Sequence, residues 1–79
     1  MNTYMVIFFT HSGAIKFQRK LEKLMISCTL MPVPRSLSSN CGIGAKVFYE
    51  AGILHLVDNE VEKVFEMEGE KYKTVYHNE

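Results

Sequence analysis

One short segment, residues 34–42, holds most of the side chains that could do chemistry. It contains the thiol of Cys41, followed directly by Gly42, and the guanidinium of Arg35 six residues earlier. The thiolate is the reactive form of cysteine, and a nearby cation or a helix N-terminus favours it by lowering the thiol pKa. Cys41 is therefore the candidate reactive residue of the chain.

The same segment is rich in groups that can hold an anion. Hydroxyl and amide side chains donate hydrogen bonds, a glycine lets the backbone approach a ligand closely, and an arginine offers a planar fork suited to oxyanions. A thiolate, a persulfide or a small oxyanion would each fit these donors. The predicted binding residues of the loop are Arg35, Ser38, Ser39, Asn40 and Gly42.

The second cysteine, Cys28, is expected to play a different part. It lies thirteen positions before Cys41, whereas structural zinc sites pair cysteines two to four positions apart. Near the start of an extended strand it would also lie too far from Cys41 for a disulfide within one chain. We interpret Cys28 as a small core residue, and we predict neither a metal nor a cofactor.

Length and charge narrow the class of protein. The 79 residues predict a single domain, residues 1–79, with one modest core. Nine basic and nine acidic side chains give a formal net charge of zero, without the basic excess of nucleic-acid-binding or membrane-surface proteins. The apolar run at residues 4–9 is too short to span a bilayer. We therefore expect a cytoplasmic protein that binds neither nucleic acid nor membrane.

Hydrophobic spacing predicts the elements that position the loop. Residues 4–9 are apolar at both odd and even positions, as in a central strand. Residues 14–25 repeat apolar side chains at helical spacing, and Ser12 is the predicted N-cap of this helix. Residues 27–31 predict an edge strand, because prolines follow them. Residues 43–49 predict a third strand, with a helix from Asn40 as the alternative.

The end of the chain predicts a second helix and a last strand. The helix would begin at a cap on Asp58 or Asn59 and continue to residue 68, and residues 71–77 alternate as a strand does. The apolar stripe of this helix would be Val61, Val64 and Phe65. Residues 50–57 fit a loop, an extra strand or a helical turn.

This order of elements predicts an α+β fold, the ferredoxin-like β-α-β-β-α-β sandwich. Its antiparallel four-stranded sheet would carry two helices on one face. The other face would lack cover, which predicts a homodimer formed through it. The turn after the first strand would lie at the same end of the sheet as the 34–42 loop, so His11 and Ser12 join the predicted binding residues.

The run Pro34-Arg35-x-Leu37-Ser38-Ser39-x-Cys41-Gly42 resembles the motif of a family of small proteins described as selenium/sulfur carrier-like. The likeness covers nearly the whole chain. It implies that Cys41 holds sulfur or selenium as a persulfide or perselenide, received from a desulfurase-type donor and passed to an acceptor protein. The protein would then be a carrier rather than a turnover enzyme. The chain departs from the family in a longer stretch after the motif and in Gly44, where a larger residue is common.

Two other functions stay open on the residues alone. A ferredoxin-like module could bind a small anion or a partner on Arg35 and the serines without any chemistry at Cys41. An assembly role through the uncovered sheet face would need neither Arg35 nor Cys41.

Overall fold

The chain folds into one antiparallel sheet with a helix on one face. The structure, a computed structural model, describes residues 2–37 and 42–78. Its elements in chain order are β1 (Asn2–Phe8), α1 (His11–Lys23), β2 (Ser27–Pro32), β3 (Ile43–Tyr49), a 3-10 turn (Leu54–Leu56), β4 (Val61–Glu68) and β5 (Lys71–His77). The five strands lie in the order β2-β3-β1-β4-β5.

The first strand lies at the centre of this sheet, as its apolar sequence predicts. Tyr4, Val6 and Phe8 point into the core beneath α1, whereas Met5 and Ile7 are buried on the opposite face. A strand covered on both faces needs apolar residues at both parities, which β1 has. The strand at residues 43–49 is also confirmed, and β2 occupies the predicted edge.

The helix α1 begins three residues before its predicted start. Thr10, not Ser12, is the N-cap, and its Oγ1 accepts a hydrogen bond from the Gly13 N–H at 3.0 Å. The buried side of the helix carries Ala14, Phe17 and Leu21.

The helix ends with Met25 in the left-handed region, at φ 60. The Ile26 N–H donates to the Leu21 carbonyl at 2.9 Å, and the Met25 N–H donates to the Glu22 carbonyl at 3.0 Å. These two bonds are the Schellman motif, in which glycine usually occupies the left-handed position.

The predicted helix at residues 58–68 is wrong, because this segment forms β4. Val61 and Val64 both point into the core beneath α1, although residues three apart in a regular strand point to opposite faces. The pairing with β1 shifts register at Glu62, a β-bulge that adds one residue between the two valines. The bulge therefore produces the apolar spacing that imitates a helix.

The ferredoxin-like sandwich with four strands and two helices is consequently wrong as well. The described residues contain one α-helix, and β4, in place of the predicted second helix, pairs with β1 in a five-stranded sheet. Residues 50–60 cover the core where the second helix would lie, through the buried side chains of Ile53 and Leu56. Lys20 holds this segment against α1, since its Nζ donates to the Leu56 carbonyl at 2.6 Å and to Asp58 Oδ2 at 3.1 Å.

The sheet face opposite α1, which we call the open face, has its own small core. Met5, Ile7 and Phe65 are buried there, and the segment after β2 packs on them through Val33 and Leu37. The chain itself therefore covers part of the face for which the sequence predicts a homodimer contact. That homodimer stays a prediction. No helix in the described residues is long and apolar enough to cross a membrane.

Candidate functional site

The loop between β2 and β3 is closed at its base by backbone hydrogen bonds. The Val33 N–H donates to the Gly42 carbonyl at 2.9 Å, and the Leu37 N–H donates to the Pro34 carbonyl at 2.9 Å. The second bond makes a turn that holds Arg35 exposed to solvent. The predicted site residues Ser38, Ser39, Asn40 and Cys41 lie outside the residues that the structure describes.

Gly42, the neighbour of Cys41, has a backbone conformation that favours glycine. Its φ is +70, in the left-handed region, where other residues are strained. The chain turns here from the motif loop into β3. The glycine of the Cys-Gly pair is thus explained by backbone geometry, whatever ligand the loop binds.

A cleft of about 320 Å³ lies at the base of the loop. Apolar side chains form most of its wall, and its lining residues are His11, Leu30, Met31, Pro32, Gly42 and Ile43. The start of α1 and the end of the β2–β3 loop therefore meet at one end of the sheet, as the sequence predicts. The cleft brings together His11 and Gly42, whereas Ser12 and Arg35 do not line it.

The N-terminus of α1 already has a carboxylate beside it. Glu60 Oε2 lies 3.5 Å from Thr10 Oγ1, which donates to it. A Cβ on Gly13 would come within 2.7 Å of the same carboxylate oxygen, so this glycine makes room for Glu60. A negative charge is favourable at a helix N-terminus, and Glu60 would oppose a second anion there.

Sequence reasoning did not find Glu60, for a plain reason. It lies fifty residues from Thr10, and the two meet only because β4 pairs with β1. The Thr10 cap could have been found, since threonine is a good N-cap residue. The sequence analysis chose Ser12, whereas the extended backbone conformation lies at Thr10.

Cys28 packs against the core, as predicted. Cys28 is a free thiol, half-buried and packed against the core beneath α1. Burial, together with the nearby carboxylate of Glu22, raises the pKa of Cys28 from an ordinary 9.0 to about 11. At neutral pH this thiol stays protonated and is a poor nucleophile. The interpretation of Cys28 as a core residue is confirmed.

Metal binding finds no support in residues 2–37 and 42–78. No group of three or more histidine, cysteine, aspartate or glutamate side chains is placed there to hold an ion. At this end of the sheet the described residues offer an apolar cleft lined by His11, with the exposed Arg35 in the adjoining loop.

Comparison with known protein families gives a match. The family described as "Putative Se/S carrier protein-like" matches residues 3–77. The comparison with curated proteins and the comparison with solved structures each gave no match. The family match covers the described strands and helix except for Asn2, and the motif loop lies within it.

Proposed function

Since the chain belongs to the Se/S carrier protein-like family, we propose that it carries sulfur or selenium on Cys41 as a persulfide or perselenide. The family match over residues 3–77 is the observation on which this proposal depends. The family description names the cargo, and the residues of the chain indicate which atom would hold it.

The choice between the two thiols rests on the properties of Cys28. A carrier thiol must be ionised to accept sulfur and must be accessible to a partner protein. Cys28 is half-buried, and its pKa is raised to about 11. Cys41 is the other cysteine of the chain, and its loop contains Arg35, whose positive charge favours an anion.

The transfer step needs no net oxidation. The Cys41 thiolate attacks the outer sulfur of a persulfide on the donor cysteine. A new S–S bond forms, the S–S bond of the donor breaks, and the donor cysteine leaves as a thiolate. The proton of the donor persulfide stays on the transferred sulfur. Attack by an acceptor thiolate on the outer sulfur of the Cys41 persulfide repeats the same exchange.

Mass spectrometry of the intact protein tests the proposal. The purified chain is incubated with a cysteine desulfurase and cysteine, and we expect a mass increase of one sulfur atom that a thiol reductant removes. Cys28→Ser should gain the sulfur and Cys41→Ser should not. A wild-type chain that stays unmodified with several desulfurases would overturn the proposal.

Anion binding without chemistry is the competing function. The exposure of Arg35, in the turn that begins the loop, favours this function. In that case Arg35→Ala would abolish binding of sulfate or phosphate, whereas Cys41→Ser would leave it unchanged. Titration calorimetry with these two variants separates the two functions. A carrier needs Cys41 for loading, and an anion-binding module does not.

A further inference from the structure

The open face is a regular grid of side chains. Strand pairing aligns its outward-facing residues in three rows that cross all five strands. The lower row is Ser27, Phe48, Thr3, Met67 and Tyr72. The middle row is Thr29, Lys46, Met5, Phe65 and Thr74. The upper row is Met31, Gly44, Ile7, Lys63 and His77.

The lower and middle rows contain aromatic and methionine side chains, some exposed to solvent and some buried just below the surface. Phe48 is 39% exposed and Tyr72 is 44% exposed, near opposite ends of the lower row. The ring of Phe65 lies beneath Tyr72, edge to face, with 6.0 Å between ring centroids. Aromatic residues and methionine are enriched at protein–protein interfaces, whose centres are poor in charge.

The charges on this face are positive. Lys46 and Lys63 belong to it, and none of the positions in the three rows is an aspartate or a glutamate. Lys63 lies 3.8 Å from the buried carboxylate of Glu62. Lys46 forms no ion pair with a described residue, and its Nζ lies 5.5 Å from the centroid of the Phe48 ring. Lys46 is therefore the positive charge in these rows that no described carboxylate pairs.

The motif loop adjoins this face. Val33 and Leu37 pack on its small core near the upper row, and the exposed Arg35 lies between them in the chain. A partner seated on the lower and middle rows would therefore lie beside the segment that leads to Cys41.

We propose that the open face docks the protein that donates sulfur or selenium, through a donor surface whose apolar centre is flanked by carboxylates. This inference rests on the proposed carrier function. The apolar centre would cover Phe48 and Tyr72, and the carboxylates would pair with Lys46 and Arg35. Charge complementarity of this kind selects a partner and speeds its association.

A second copy of the chain fits the face less well. Two open faces would place the Lys46 side chains of both copies in one interface, and the rows contain no carboxylate to pair with them. The lower and middle rows span five strands that are about 4.8 Å apart, so their surface area is roughly 300–400 Å² per copy. This is below the area of about 800 Å² per partner in a standard interface. A small contact suits a carrier, because the donor must leave after each transfer.

The test compares two ways of loading Cys41. A cysteine desulfurase with cysteine must dock on the chain, whereas inorganic polysulfide is small and needs no docking surface. We expect Lys46→Glu and Phe48→Ala to lower the initial rate of desulfurase-dependent loading at least tenfold and to leave polysulfide loading unchanged. The matched control is Lys16→Glu, the same charge change on the exposed side of α1, which should load at the wild-type rate.

The outcomes separate this inference from the carrier function. A wild-type chain that no desulfurase loads would overturn the carrier function itself. Normal loading of Lys46→Glu by the desulfurase, or an equal loss in Lys16→Glu, would overturn docking on the open face. Loss of polysulfide loading in Lys46→Glu would also overturn it, because the defect would then lie at Cys41. A stable dimer in sedimentation that Phe48→Ala dissociates would assign the face to a second copy.

Discussion

Val33 packs directly on the backbone of Gly44. A Cβ atom on Gly44 would lie 2.9 Å from Val33 Cγ1 and 3.0 Å from the Val6 carbonyl oxygen, both too close for ordinary contact. The resemblance to the family implies a larger residue at this position, where the chain has Gly44. Because Gly44 has no side chain, the segment after β2 can pack on the open face.

Gly44→Ala is expected to lower the free energy of unfolding by about 1–3 kcal/mol, the usual cost of overpacking a core. Urea unfolding followed by circular dichroism measures the change. Gly52→Ala is the control, because a Cβ there would have nothing within 4 Å. Equal stability of Gly44→Ala and wild type would mean that Val33 moves away without cost.

Much of this fold can be predicted from the sequence, and the failures have physical causes. The strands β1, β2, β3 and β5 and the helix α1 follow from apolar spacing within each segment. The error at β4 arises because a bulge depends on the neighbouring strand, which local spacing does not describe. At the site, the meeting of His11 and Gly42 follows from topology. The contact between Glu60 and the N-terminus of α1 depends on long-range pairing that no local pattern contains.

The two thiols are expected to titrate separately. In the Cys41→Ser variant the alkylation rate should rise with a midpoint near pH 11, the raised pKa of Cys28. In Cys28→Ser the midpoint should lie below the value of about 8.5 for a free thiol. Iodoacetamide labelling followed by mass spectrometry between about pH 6 and about pH 12 gives both curves. A Cys41 midpoint at or above that of a free thiol would argue against a reactive role.

The Cys28 thiol should also make stability depend on pH in alkaline solution. Its pKa is about 11 in the folded chain and near 9.0 when unfolded, so folding favours the protonated form. The contribution is complete below pH 9.0 and is lost as the pH rises toward about 11. Tyrosine and lysine titrate in the same range, so the measurement is the difference in unfolding free energy between wild type and Cys28→Ala. A difference that does not change across this range would contradict the prediction.

Met25→Gly is expected to stabilise the protein by about 0.5–1 kcal/mol, because glycine adopts a positive φ without strain. Met25 is 93% exposed, so its side chain contributes little packing that the substitution would remove. Chemical denaturation measures the gain. Leu24→Gly, one residue earlier at φ −89, should destabilise the protein instead. A loss of stability in Met25→Gly would show that the side chain has a stabilising role.

Lys20→Met should destabilise the protein by about 1 kcal/mol, since it removes a charged donor shared by two acceptors at a partly exposed site. The substitution also removes the cation from the face of the Phe17 ring, whose centroid lies 5.1 Å from Lys20 Nζ. Hydrogen exchange should show faster exchange in residues 50–60, with little change in β1. Lys16→Met, on the exposed side of the same helix, is the control and should match wild type.

The bulge at Glu62 has a consequence for how this chain tolerates insertions and deletions. Because side chains alternate along a strand, one residue more or fewer exchanges the two faces from that point to the strand end. The extra residue therefore exchanges the faces that the following side chains occupy. As a result, Val61 lies in the core beneath α1 and Phe65 lies in the small core of the open face. Glu62 is itself buried. Deleting it would remove the extra residue of the bulge, so either Val61 or Phe65 would turn to the wrong face of the sheet. In β4, the number of residues is therefore constrained as strongly as their types.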